Sequence, residues 1–238
     1  MKKIIILTLF IYLYCPVNLF SEPPKKTIQI KPEDFLTEYR NYLFLWIYPE
    51  YYYSADIIPV QKEKSPPNGY TKIEFFGLSA FIPSLYTHEI TRKYDRMYFK
   101  SKTGDWLMML KASDSSMLCS EKQQAYQKDY CSAFKTVQEY NHKLFTLTPD
   151  TVESVGDKWI VHGKGLVFQD TQNIKIYSSD KFMAYVRIIK DSLVKEKKIK
   201  FSHEITLFHV NGPINSHITI CFLANDDTLL NHFISTIE

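Results

Sequence analysis

The chain has no apolar run long enough to cross a bilayer, almost no net charge, no internal repeat and only 4 cysteines, and each shortage removes a class of protein. Its longest apolar run, Ile4 to Tyr14, falls well short of the about 20 residues that a membrane-crossing helix needs. The formal charge of +3 drops to +1 without Lys2 and Lys3, which leaves no global electrostatic case for nucleic acid or an anionic membrane. No stretch has the composition of a disordered or repeat-built protein, so the bulk of the chain is expected to bury one sizeable core.

The N-terminus carries the most specific signal. Lys2 and Lys3 precede the apolar run, and the chain then turns polar and proline-rich at Ser21-Glu22-Pro23-Pro24-Lys25-Lys26. These are the three regions of a secretory signal peptide. Cleavage after Ser21 would release an exported protein, periplasmic or extracellular, with no transmembrane segment. A competing route lipidates Cys15 and leaves a membrane-tethered chain, although Tyr14 stands where lipoprotein signals carry a small residue. The expected organisation is a signal peptide over 1–21, a helix with an aromatic and proline-rich segment over 22–69, and the main domain over 70–238.

From Lys31 to Trp46 apolar side chains recur at three- and four-residue steps behind Pro32-Glu33-Asp34, which predicts a helix. After Gly69 the pattern turns strand-like. One strand is expected over Lys72–Pro83, a hairpin over Tyr94–Lys111, a helical stretch between Ser115 and Leu147, and further strands at 158–162, 174–177, 182–189, 203–210 and 217–223. Gly163-Lys164-Gly165 reads as a hairpin turn, and the lysines at 190, 195, 197, 198 and 200 as a solvated hairpin tip, a reading preferred over a phosphate or lipid site. Asn225-Asp226-Asp227 suits the start of a C-terminal helix bearing Leu229, Leu230, Phe233, Ile234 and Ile237. Helices able to cover both faces of a mainly antiparallel sheet give an α+β chain arranged as an α/β/α sandwich.

The strand ending in Ala80-Phe81-Ile82-Pro83, the Asp95–Leu110 hairpin and the closing pair, Ile218–Phe222 then Ile234–Ile237, resemble the PsbP/Mog1-like superfamily over roughly residues 70–238. The resemblance implies an antiparallel sheet between helices. It also implies a role of the kind filled by photosystem accessory proteins, small-GTPase partners and bacterial envelope proteins, and so favours binding over catalysis.

Catalytic motifs fail at required positions. His88-Glu89 and His203-Glu204 lack the second histidine of a zinc helix, since Arg92 and Leu207 stand there. Gly77-Leu78-Ser79-Ala80-Phe81 lacks the closing glycine of a nucleophile elbow, which makes Ser79 an ordinary strand residue. His203, His209 and His217, with His162, invite a metal reading only if their strands share a face, and scattered surface histidines are the preferred reading. No catalytic residue, metal or cofactor is assigned. A hydrolase with dispersed catalytic groups is the alternative to a binding module.

Two features point elsewhere. Cys119 and Cys131 lie close enough to form a disulfide in an oxidising envelope, provided the chain doubles back over Glu121–Lys128 and a helix starts near Asp129; two free thiols on one continuous helix is the other reading. The residues Trp46, Tyr48, Tyr51, Tyr52 and Tyr53 are too many rings in succession to face one core. They serve either as filler on the domain's own sheet or as a half-wet contact surface for a protein or another envelope component.

Overall fold

Hydrophobic alternation along the chain builds a sheet that is apolar on both sides, and the computed structural model, which describes residues 48–62, 68–89, 95–113, 128–212, 216–224 and 227–238, shows what covers each side. The strands are β1 (Ile57–Pro59), β2 (Tyr70–Phe75), β3 (Leu78–Pro83), β4 (Thr87–Glu89), β5 (Arg96–Lys100), β6 (Trp106–Ser113), β7 (Thr171–Ser178), β8 (Phe182–Ile189), β9 (His203–His209) and β10 (Ser216–Leu223). The helices are α1 (Lys128–Ser132), α2 (Val137–Thr146), α3 (Val155–Val167), α4 (Asp191–Lys195) and α5 (Thr228–Ser235), with a 3₁₀ turn at Pro49–Tyr52.

This is an α+β protein. Eight strands in the order β1-β7-β8-β9-β10-β6-β5-β4 form the main sheet, and every neighbour is antiparallel except β1, which lies parallel to β7. β2 and β3 form a separate antiparallel pair. Because side chains alternate across a strand, β8 sends Phe182, Ala184 and Val186 to one side and Tyr185 to the other. The first side is covered by the β2–β3 pair and by α5, with Phe75 and Phe233 rings 5.8 Å apart. The second is covered by α1, α2, α3 and the segment after the 3₁₀ turn, through Val137, Leu144, Phe145, Ile160 and Phe168. The chain end is stitched in, since Ser79 and Glu238 exchange backbone hydrogen bonds of 3.0 and 2.9 Å.

Several expectations are corrected. Residues 158–162 are not a strand but the middle of α3, a helix started by Ser154, whose hydroxyl accepts the Asp157 N–H. The run Trp159-Ile160-Val161 mimics a strand because the helix buries two of the three and leaves Trp159 outside. Gly163 and Gly165 accordingly lie inside a helix. The Lys72–Pro83 stretch folds back at Phe76-Gly77, where φ values of 49° and 89° make the tight two-residue turn that right-twisted strands favour. The Ser115–Leu147 stretch is broken after α1, where Thr136 caps α2 by accepting the Glu139 N–H. The lysine-rich tip contains α4. Asp227 occupies the cap position of α5 without a side-chain capping bond. The helix expected at Lys31–Trp46, Asn225 and Asp226 lie outside the described residues.

Candidate interaction surface

The aromatic segment divides by direction. Tyr51 is buried against α3, its ring stacked 6.1 Å from that of His162, and Tyr53 points its hydroxyl to the Thr171 carbonyl at 3.2 Å beside Phe168. Tyr48 and Tyr52 turn outward, 38% and 52% exposed. Trp46 lies outside the described residues. The segment therefore fills a groove with two rings and shows solvent two others.

What fixes this arrangement is Gly165. A Cβ there would come within 2.9 Å of the Tyr51 ring, so only a glycine lets the ring lie flat on the helix. One residue earlier, Lys164 is wholly enclosed, and its ammonium donates to the carbonyls of Tyr53 and Leu147, tying the aromatic segment and the end of α2 to α3. Burial pushes its pKa down to about 7.

The outward face of α3 is the second unexpected feature. Val155, Trp159, His162 and Leu166 are spaced four, three and four residues apart, which puts them on one face, and three of these are exposed: Val155 at 47%, Trp159 at 38% and Leu166 at 73%. Ring contacts run without interruption from Trp159 to His162 at 6.0 Å, to Tyr51, and on to Tyr48 at 5.7 Å. These contacts link the exposed α3 face to Tyr48 through the buried Tyr51 ring, and Tyr52 is exposed on the same turn. Read as a strand over 158–162, Trp159 and His162 fall on opposite sides, so the period-two reading hid this half of the patch.

The histidines do not converge. His203 and His209 share a face of β9 but lie six residues apart, roughly 20 Å along a strand. His217 sits on the other face against Phe208, with ring centroids 5.5 Å apart, and His162 belongs to α3. His209 and His217 line one small cavity of about 170 Å³ at the β9–β10 tip, and among the described residues no group of three or more ligand-type side chains is gathered for a metal.

His203 instead anchors a brace. Its Nε2 lies 2.9 Å from Asp227 Oδ1, its Nδ1 lies 2.8 Å from Ser202 Oγ, and Lys175 donates to Asp227 Oδ2 at 2.8 Å. Chemically this is a serine, a histidine and an aspartate in series, but the Ser202 oxygen already accepts the Ala224 N–H at 2.9 Å and is 3.1 Å from the Phe222 carbonyl. A nucleophile needs a free approach to its oxygen; here the hydroxyl is a strut between the start of β9 and the end of β10. Burial alone would raise the Asp227 pKa, but the bonds from Lys175 and His203 outweigh it and hold the carboxyl below its ordinary value. Asp227→Ala should therefore cost about 1 kcal/mol near neutrality, a small figure because the carboxylate is partly solvated. The loss should vanish in acid: a depressed carboxyl stabilises above its unfolded pKa and stops doing so as the pH falls through its folded value. Urea titrations of both proteins at neutral and acid pH check this.

Cys221 is a buried free thiol, with a pKa that burial pushes up to about 12. Cys131 on α1 is disulfide-bonded, and Cys119 lies outside the described residues. Ser79 is a strand residue of β3, and both His-Glu pairs lie in strands, His88-Glu89 in β4 and His203-Glu204 in β9. No described helix is long and apolar enough to cross a membrane. No family model matches the chain, and no curated protein matches it significantly.

Proposed function

We propose that this chain is an exported, non-catalytic accessory or binding module that holds an envelope component on the surface formed by α3 and the outward tyrosines. The observation that carries the reading is the exposed stripe of Val155, Trp159 and Leu166 continued by Tyr48 and Tyr52. Apolar residues at helical spacing normally face a core; a helix that already buries Ile160, Val161 and Lys164 has no internal use for a second apolar face. Export rests on the basic, apolar and polar regions of residues 1–26 and accords with the bonded state of Cys131. The pairing Cys119–Cys131 is part of the proposal. Helices against both faces of a largely antiparallel sheet support an α/β/α sandwich of the PsbP/Mog1-like kind.

A photoreactive amino acid placed at Leu166 is expected to give a discrete crosslinked species in the native envelope, and one placed at Val210, also open to solvent but at the β9–β10 tip, is not. Equal labelling from both positions, or none from either, would remove the surface from consideration.

A further inference from the structure

We propose that the component held is an anionic lipid bilayer, which the aromatic surface enters at interfacial depth while the lysine knuckle after β8 engages the headgroups. This rests on the preceding reading of the surface as a contact face and adds the identity of what it contacts.

The structure places the two parts side by side. Lys190 Nζ donates to Glu50 Oε1 at 3.1 Å and to the Gln169 carbonyl at 2.7 Å, so the root of the knuckle is pinned to the tyrosine turn and to the residues just past the end of α3. Beyond that root, Lys195, Lys197, Lys198 and Lys200 are all exposed, against Asp191 and Glu196, and Glu196 is already paired to Lys198 at 2.6 Å. A local excess of positive charge therefore sits on a knuckle rooted against the tyrosine turn and the residues after α3, although the whole chain is nearly neutral.

Three features select a membrane over a protein. Val155, Trp159 and Leu166 line one face of a single helix, the arrangement by which a helix lies in the plane of a membrane interface. Tyrosine and tryptophan with an apolar body and a polar edge are the residues that settle at the water–lipid boundary. Residues 1–47 join the described fold at Tyr48, within the patch, so a chain acylated at Cys15 would be attached on this side of the fold. Each lysine near an anionic surface contributes about a fivefold gain in partitioning, which is too little alone but adequate in combination with inserted apolar side chains.

The test is co-sedimentation of the non-acylated mature chain with vesicles of zwitterionic lipid alone and with added anionic lipid, over a salt series. The wild-type protein is expected to partition at least tenfold better onto the anionic vesicles and to lose that advantage as salt rises. K195Q/K197Q/K198Q/K200Q should lose about tenfold or more, and L166S/Y52S should lose binding at every salt concentration. All six positions are open to solvent, and unchanged thermal midpoints establish that the variants fold; the wild-type salt series is decisive without them. Absent or salt-insensitive binding, or binding that neither variant weakens, overturns the membrane proposal. If vesicles fail while position 166 crosslinks to a defined protein, the lipid identity falls and the contact face stands; if both fail, both fall.

Discussion

Replacing Lys164 with methionine is expected to remove most of the stability that this protein gains as the pH rises from about 7 to about 9. The enclosed amine has a folded pKa of about 7, against 10.5 for the free side chain. Across that interval the unfolded chain binds a proton that the folded chain does not, so stability increases with pH by up to about 1.4 kcal/mol per unit. Below the folded value both states carry the proton and the dependence flattens. The neutral amine has two N–H groups, and the structure offers it two carbonyls, those of Tyr53 and Leu147. Lys164→Met keeps the volume but leaves both acceptors bare, at a cost of about 2–4 kcal/mol at alkaline pH, and its stability should be nearly level over the same interval. Urea unfolding at a series of pH values measures both effects; a wild-type protein whose stability is level or falls between those pH values contradicts the assignment.

Gly156→Ala should destabilise the protein by about 2 kcal/mol even though alanine is the better helix former by up to about 1 kcal/mol. An added Cβ would collide with the Asp129 carbonyl oxygen and stand 2.6 Å from the Ala133 Cβ, and the first of these is backbone that can yield only if α1 moves off α3. Gly163→Ala is the control on the same helix. Its Cβ would meet nothing closer than the Tyr140 hydroxyl at 3.8 Å, so it should be neutral or gain about 0.5 kcal/mol from helix propensity. Thermal unfolding of the two variants should move the midpoint in opposite directions, or leave Gly163→Ala unchanged.

Lys164 and Gly156 also mark where the sequence ceases to be legible. Strands β5 to β10 were legible because short apolar runs, many of them β-branched and aromatic, are separated by turn signals such as Ser101–Asp105, and α5 was legible because Leu229, Leu230, Phe233 and Ile234 repeat at helical spacing. α3 was hidden by its own composition. It holds three glycines, buries a lysine and exposes a tryptophan and a leucine, each of which counts against an amphipathic helix. The reasons are all tertiary: Gly156 admits α1, Gly165 admits Tyr51, and Lys164 reaches carbonyls contributed by two distant segments. The aromatic segment stands out in the sequence, but its division into inward Tyr51 and Tyr53 and outward Tyr48 and Tyr52 depends on a helix whose residues imitate a strand. His203 stands out as a candidate ligand; its partner Asp227 is 24 residues away and Lys175, which bonds Asp227, lies 28 residues before His203, a spacing with no motif to announce it.

The α3 and tyrosine face is expected to be covered in the native envelope. Single cysteines introduced at Leu166 and at Tyr52, with Leu85 and Val210 as reference positions, can be labelled by a membrane-impermeant thiol reagent in the purified protein and in the intact envelope. Labelling at 166 and 52 should be strongly slowed in the envelope while 85 and 210 react as they do in solution. Equal rates at all four positions in both settings would contradict the assignment of that face as the functional surface.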